Sequence, residues 1–524
     1  NVTTNVADCE VVYADGAYRL DEKVYVAEVN GKKCENLTDI VDAVKALSKA
    51  GVDAVVKFYK DITIEKNDYK AFAITIGITL FVGALMMCIR PSRTEMGKRE
   101  GCLLTALTWV VFSGFGMIPF MIGDSKMTIS DAFFETMSGF TTTGASVLNN
   151  IDEQPHGILF WRSITQWLGG LGIMLFSIAL LPSFNRNNKQ LFSTESMAMS
   201  INKLRPKTQE TARGILLTYI VLTFICAFFY YTGPMSFFDA VCHAMTTLGT
   251  GGFSTHQASI AFFDSAYIEY ACALFMILSG VNFSLYFLAS TGKWDAFSKN
   301  EEFKWYMVAT VILVILIFTL FLINPNHSTS VQMPNTLEEK FRTSLFHVAS
   351  IFSSSGFQSR FCDYDSWGYA FWIPTIFMMV CGACTGSSSG GFKIIRIMIC
   401  MKNVRNELLL YIHPNAILPV KLSKHVVGFE VVMRTLAFLF IFTALILFGT
   451  MLLTCCGLSF DTAFGSCISA ISNTGPGFAA TGPALNYSEI SDVAKWILSF
   501  LMLMGRLEIY TILLIFNPHF WNDK

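Results

Sequence analysis

Asp131-Ala-Phe-Phe-Glu-Thr-Met-Ser-Gly-Phe-Thr-Thr-Thr-Gly-Ala-Ser146 decides how the rest of the chain is read. Its first half is apolar enough to enter a membrane but too short to cross one, since a span needs roughly 20 apolar residues. Its second half is a run of hydroxyls, Thr141 to Thr143, closed by Gly144. Non-helical backbone survives at membrane depth only where it is buried in protein or lines a watery cavity. A short helix that enters the membrane and returns as extended backbone presents a row of carbonyl oxygens, which can replace the water around a cation. The stretch therefore predicts a pore loop with Thr142, Thr143 and Gly144 as ion-binding residues.

The pattern recurs three times: Leu248-Gly-Thr-Gly-Gly252, Phe352-Ser-Ser-Ser-Gly-Phe357 and Ile471-Ser-Asn-Thr-Gly-Pro476. Each turn follows a short segment rich in Phe or Ala and sits between two apolar segments. One Thr/Ser-Gly turn is a common local feature; four in step with the hydropathy are an internal repeat. The alignment adds Gly249, Thr250 and Gly251, then Ser354, Ser355 and Gly356, then Asn473, Thr474 and Gly475 to the ion-binding set. Gly144, Gly251, Gly356 and Gly475 lack a β-carbon, which lets the backbone aim carbonyls at an axis. Each preceding short helix would point its negative end at the ion.

Of the 524 residues, 53% are hydrophobic and 15% charged, so the chain reads as an all-α polytopic membrane protein. The organisation expected is an accessory span over 70–92 and four span–pore-loop–span repeats over 98–183, 211–292, 304–402 and 428–518, closing into a pseudo-tetrameric ion pore. Residues 1–69 are polar and read as a small α/β module: a strand from Val24, an amphipathic helix over Leu37 to Leu47, and a strand over Ala54 to Tyr59. Their order resembles the second half of a PDZ domain; a plain extracytoplasmic cap or loop insertion is the other reading. The fourteen cysteines lie mostly in apolar segments and read as small buried hydrophobes. Cys9 and Cys34 are the exception, and a disulfide there requires an oxidising compartment. The chain begins at Asn1 rather than Met, and an upstream piece is expected to have been removed.

Charge placement orients the chain. Loops on the side of Arg90, Arg186, Lys203, Lys293, Lys393 and Arg405 carry about nineteen Lys and Arg, against about four on the other side, so the basic side is cytoplasmic. The glycine turns and the N-terminal module then face outward. The outer loops hold Asp124, Asp131, Glu135, Asp152, Glu153, Asp264, Asp363, Asp365 and Glu489. They form either a cation-concentrating rim or merely a solvated face. The net charge of −1 gives no ground for a nucleic-acid partner. There is no HExxH and no glycine motif for nucleotide after a strand, so no cofactor is expected.

The third repeat's return span is interrupted by Gly382-Ala-Cys-Thr-Gly-Ser-Ser-Ser-Gly-Gly391, too rich in Gly and Ser for stable helix. Arg506 sits mid-span in the last apolar segment, and an intramembrane charge is a functional candidate by default. It is expected beneath the filter, raising the barrier to cations; a structural ion pair with Glu508 or another buried acid is the alternative, and the two are compatible.

These features resemble the TrkH/KtrB/HKT superfamily of potassium transporters, and TrkH most closely, over nearly all of residues 70–518. The strings that carry the resemblance are Ser138 to Ser146, Thr250-Gly-Gly-Phe-Ser-Thr-His256, Gly280-Val-Asn-Phe283, Cys384 to Lys393 and Gly475-Pro-Gly477. The resemblance implies potassium as the transported ion, a homodimer, and cytoplasmic nucleotide-binding regulatory subunits of the TrkA type. The setting it implies is the bacterial cytoplasmic membrane with its lipid, and a gating loop under the filter. The gate then comprises Gly386, Ser387, Ser388, Ser389, Gly390, Gly391 and Lys393 with Arg506. In that superfamily, serine in place of the first filter glycine goes with sodium selectivity, so four glycines favour potassium. Ser353 to Ser355 and Gly249 depart from the usual residues. TrkH proteins have two helices before the first repeat; the single one here fits a lost span before Asn1. Two other functions compete with gated potassium uptake. One is sodium-dependent or mixed sodium–potassium transport. The other is an intramembrane protease using a serine near Ser387, for which no histidine base lies at that depth.

Overall fold

A serine or threonine opens each of four short helices, its side chain accepting the amide three residues on: Thr128 from Asp131, Ser236 from Asp239, Thr336 from Glu339 and Ser459 from Thr462. Such caps satisfy donors that the first helical turn leaves open, and at Thr336 the Glu339 carboxylate completes a capping box. These helices belong to a computed structural model that describes residues 9–11, 24–29, 32–33, 56–60, 68–88, 98–123, 126–184, 208–323, 333–361, 363–423 and 425–521. Its contacts divide into two units, Asn1–Asn67 and Asp68–Lys524.

In the first unit, β1 (Cys9–Val11), β2 (Val24–Val29), β3 (Lys32–Lys33) and β4 (Val56–Lys60) form a sheet of order β1-β4-β2-β3. Its neighbours are antiparallel, with an irregularity between Val26 and Glu28. The two strands expected around Val24 and Ala54 are thus paired. The expected helix over residues 37–47 and the Cys9–Cys34 pairing lie outside the described residues.

The second unit is mostly helical. Helix α1 (Tyr69–Met87) precedes four similar sets. The first is α2 (Lys98–Gly116), short α3 (Ile129–Phe140) and α4 (His156–Phe184). The second is α5 (Thr208–Tyr231), short α6 (Phe237–Gly249), then α7 (Ala266–Ser279) and α8 (Phe283–Ser290). The third is α9 (Glu301–Ile323), short α10 (Leu337–Phe352), α11 (Tyr369–Cys381) and α12 (Ile394–Ile412). The fourth is α13 (Phe429–Cys455), short α14 (Phe460–Ser472), then α15 (Asp492–Arg506) and α16 (Glu508–Phe516). Among the described residues five helices are long and apolar enough to cross a membrane, or seven if each bent pair counts as one.

Polarity is arranged for an apolar solvent. Outward residues such as Leu80, Phe81, Phe224, Phe228, Ile312 and Phe440 are exposed, whereas the short helices α3, α6, α10 and α14 are buried over most of their length. Hydroxyls within the long helices fold back on the carbonyl four residues earlier, as in Thr75 to Ala71, Thr310 to Tyr306 and Thr450 to Ile446 at 2.8–2.9 Å. A polar side chain is thereby satisfied without water.

Two return spans expected to be continuous are broken. α7 and α8 meet at 91°, because Gly280-Val-Asn282 ends one helix and the Asn282 side chain caps the next by accepting the Ser284 amide. α15 and α16 meet at 116°, where Glu508 takes a left-handed φ of 54°. In the third set the residues between α11 and α12 are non-helical, as their composition predicts; Gly382, Gly386, Gly391 and Lys393 all take positive φ there.

Candidate functional site

The C-terminal ends of α3, α6, α10 and α14 run into four turns of one geometry. In each, a residue in left-handed conformation is followed two places on by a glycine of positive φ. The pairs are Thr142 and Gly144, Thr250 and Gly252, Ser354 and Gly356, and Asn473 and Gly475. The residue between them donates its amide to the carbonyl five places back: Thr143 to Ser138, Gly251 to Thr246, Ser355 to Ser350 and Thr474 to Ser469, at 2.9–3.0 Å. This geometry corrects the sequence register in the second turn. Gly252, not Gly251, is the counterpart of Gly144, and Gly249 is the last residue of α6. The doubled glycine hid the one-residue shift, since either could fill the position in a sequence alignment.

The four turns close on one another. A β-carbon on Gly144 would strike the carbonyl of Gly251, one on Gly252 that of Ser355, one on Gly356 that of Thr474, and one on Gly475 would lie 2.7 Å from that of Thr143. First meets second, second third, third fourth, and fourth first. A ring with this cyclic order brings the central carbonyls of all four sets together, and only glycine permits the approach. On one side the ring opens into a cleft lined by Gly144, Gly252, Gly356 and Gly475. Thr142 Oγ1 and Asn473 Oδ1 are buried without a hydrogen-bond partner among the described residues, and orphaned polar atoms of this kind call for a ligand or a reason.

Side chains missed by the sequence reading brace the ring from behind. Arg162 on α4 is 1% exposed; its Nε lies 2.8 Å from Glu135, and its other nitrogens donate to the Ser254 carbonyl and the Ser146 hydroxyl. Glu135 also accepts the Val147 amide. One turn on, Gln166 donates to the Gly251 carbonyl at 2.8 Å and accepts the Phe253 amide at 3.0 Å. Removing one member of such a buried pair costs about 3–5 kcal/mol, because the other charge is stranded. The available signal was an arginine and a glutamine four residues apart inside an apolar span, which face the protein rather than lipid. At least four of the nine outer acids have basic partners: Glu135 is interior against Arg162, Asp131 binds Lys495, Asp264 binds Arg360, and Asp152 binds His256. Asp124 lies outside the described residues. Burial alone would depress the His256 pKa, but contacts with Asp239 and Asp152 outweigh it and raise the value above the ordinary imidazole range.

On the other side of the ring, the non-helical segment between α11 and α12 packs against the ends of the short helices. Ser388 Oγ donates to the Leu248 carbonyl at 2.9 Å, and the Gly390 amide donates to Ser354 Oγ at 2.9 Å. A β-carbon on Gly390 would strike the carbonyl of Ser472. Ser387 and Ser389 share a 2.8 Å hydroxyl contact, and Lys393 Nζ donates to Ser389. Arg506, 3% exposed, donates to the Ser388 carbonyl at 2.6 Å and to the Gly169 carbonyl at 2.9 Å. It thus joins the fourth set to the third and the first. The alternative pairing of Arg506 with Glu508 gives way here, since Glu508 bonds Arg396 at 2.6 Å. Among the described residues no serine of the segment bonds a histidine; His243 bonds Ser254 and His347 bonds Thr375, both as buried structural contacts.

Residues 68–523 match the family model described as "TrkH: Cation transport protein". The Trk system potassium uptake protein TrkH of Escherichia coli K12 is 35% identical over 460 residues, 87% of this chain and 92% of that protein. TrkG of the same strain is 30% identical, over 90% of this chain and 94% of that protein. The crystal structure of the potassium transporter TrkH from Vibrio parahaemolyticus superposes with a TM-score of 0.77 at 32% identity, covering 87% of this chain and 93% of that one.

Proposed function

This chain belongs to the TrkH family of cation transport proteins, and on that footing we propose that it carries potassium ions into the cell through the ring of four turns. It is a transporter, not an enzyme. In this reading the four sets are pore-loop repeats. Thr142, Thr143, Gly144, Thr250, Gly251, Gly252, Ser354, Ser355, Gly356, Asn473, Thr474 and Gly475 form the selectivity filter. The single observation that carries it is the cyclic glycine-to-carbonyl contact, in which the carbonyls of Thr143, Gly251, Ser355 and Thr474 each lie against the glycine of a neighbouring turn. Carbonyl dipoles in that number substitute for the hydration shell of a potassium ion. The negative ends of α3, α6, α10 and α14 add to the attraction.

The segment from Gly386 to Lys393, held by Arg506, is the gate: it lies against the ring on the side away from the cleft. Potassium enters from the cleft, drawn inward by the membrane potential. The bacterial cytoplasmic membrane is the setting, with the N-terminal module outside. The basic loops at residues 186–213 and 393–424 receive a nucleotide-binding cytoplasmic regulator, and the chain works as a homodimer. The second reading, mixed sodium–potassium transport, draws on the serine-only third turn, where Ser353 to Ser355 stand in place of threonines.

Flux of K⁺, Rb⁺, Na⁺ and Li⁺ into proteoliposomes tests both readings. Potassium and rubidium should pass at least about tenfold faster than sodium and lithium, a preference of about 1.4 kcal/mol. Equal sodium flux selects the mixed reading. No flux of any cation, even with Arg506 replaced by alanine, sinks the pore.

A further inference from the structure

Helix α9 opens with two consecutive glutamates, and successive helical side chains leave the axis about 100° apart. Glu301 and Glu302 therefore reach different neighbours. Glu302 is 4% exposed. Its carboxylate accepts the Thr385 amide at 2.7 Å and the Thr385 hydroxyl at 2.9 and 3.0 Å. Thr385 lies in the segment under the ring. On either side of it, the Cys384 amide bonds the Gly280 carbonyl and the Gly386 carbonyl takes the Phe283 amide. A buried carboxylate is retained only when hydrogen bonds compensate its lost hydration, and the bonds shown for Glu302 all come from this one threonine.

Glu301 points the other way. It accepts the Ser423 amide at 2.7 Å and an ion pair from Lys402, which also donates to the Lys421 carbonyl at 2.7 Å. Ser423 sits between the paired strands β5 (Lys421–Leu422) and β6 (His425–Val426). This hairpin is not loose. Leu422, with Val420 and Val427 beside it, packs into a cluster with Ile395, Met398 and Ile399 of α12 and with Val431 and Val432 of α13. The start of α9 is firm as well, since the Asn300 side chain accepts the Phe303 amide at 2.8 Å.

We propose that Glu301 and Glu302 form the link through which the β5–β6 hairpin holds the intramembrane segment in place: Glu301 fastens α9 to the hairpin, and Glu302 fastens Thr385 to α9. This rests on reading that segment as the gate and the basic loop that carries the hairpin as the face met by a cytoplasmic protein. A protein that shifts the hairpin then moves the first turn of α9 and withdraws Thr385 from its place under the ring. Glu302 is a positioning residue. It acts on the ion only through the segment.

The test uses the full-length protein in proteoliposomes, without any partner, and compares Glu302→Ala, Glu302→Gln, Thr385→Val, Glu301→Gln and Arg506→Ala. Rubidium flux, the potassium-to-sodium preference and deuterium exchange over residues 382–391 and 421–426 are read together. Glu302→Ala and Thr385→Val should speed exchange over 382–391 and raise flux about tenfold or more, since Thr385→Val loses the hydroxyl bond to a charged group and Glu302→Ala loses the amide bond as well. The ion preference should stay unchanged, which damage to the fold would not allow. Glu302→Gln keeps an acceptor for the Thr385 amide and should stay near the parent. Glu301→Gln should speed exchange in both segments. Flux that rises with Arg506→Ala but not with Glu302→Ala or Thr385→Val overturns the link and leaves the gate standing. Flux that rises with none of them overturns the gate, and the exchange data still decide the link: unchanged protection over 382–391 sinks it. If Glu302→Ala fails to fold, Thr385→Val, which changes no charge, carries the same test.

Discussion

Gly144→Ser lowers the preference for potassium over sodium by about tenfold or more, close to the loss of 1.4 kcal/mol of discrimination. Two physical costs fall on the same atoms. Gly144 has a φ of 85°, a conformation that costs a residue with a β-carbon about 1–2 kcal/mol. The new β-carbon also collides with the carbonyl of Gly251, one of the four that face the centre in our reading. That carbonyl cannot yield freely, because Gln166 already donates to it. The ring must therefore deform where it substitutes for ion hydration, and the serine hydroxyl adds a ligand of different reach. Sodium, which holds water more tightly than potassium, gains from any site that lets it keep part of its shell. The comparison variant is Gly114→Ala, whose β-carbon meets nothing within 4 Å; it should leave the preference intact. Parallel flux assays with each cation read the outcome.

Arg506→Ala raises potassium flux in the absence of any cytoplasmic partner by about tenfold, with the ion preference retained. At an effective dielectric of about 20, a positive charge within about 8 Å of a passing cation adds about 2 kcal/mol to its barrier. Arg506 also ties the Ser388 carbonyl to the Gly169 carbonyl, so its removal loosens the segment under the ring as well. Arg506→Lys separates the two effects. Lysine keeps the charge but cannot span two carbonyls with a planar fork. Flux near the parent level for Arg506→Lys assigns the barrier to charge; flux near the alanine level assigns it to the tether.

Much of this arrangement was legible from residue order. Hydroxyl–glycine turns after short apolar stretches mark the ring because helix cannot continue through them and lipid cannot cover them. The Gly/Ser run from Gly382 to Gly391 is non-helical for the same reason of composition. What failed to show depends on three-dimensional neighbours. Gly251 and Gly252 are equivalent as letters, and it takes the backbone bond from Gly251 to Thr246 and the positive φ of Gly252 to assign their positions. The bend at Leu507 follows Gly505, where a β-carbon would strike the Ile471 carbonyl, and Glu508 just after it takes a positive φ; a single glycine in an apolar run does not reveal in sequence which backbone it will meet. Glu302 reads as one more loop charge at the mouth of a span, since nothing local announces that Thr385, 83 residues later, will meet it. For the outer acids the sequence displays charges without their partners, such as Arg162 for Glu135 and Lys495 for Asp131.

The most direct measurement is anomalous diffraction from crystals of this protein grown with thallium or rubidium in place of potassium. The account predicts a peak at the centre of the four turns, within coordinating distance of the carbonyls of Thr143, Gly251, Ser355 and Thr474, and its loss in Gly144→Ser. A ring that stays empty while the same preparation carries potassium, or a peak elsewhere in the chain, would contradict it.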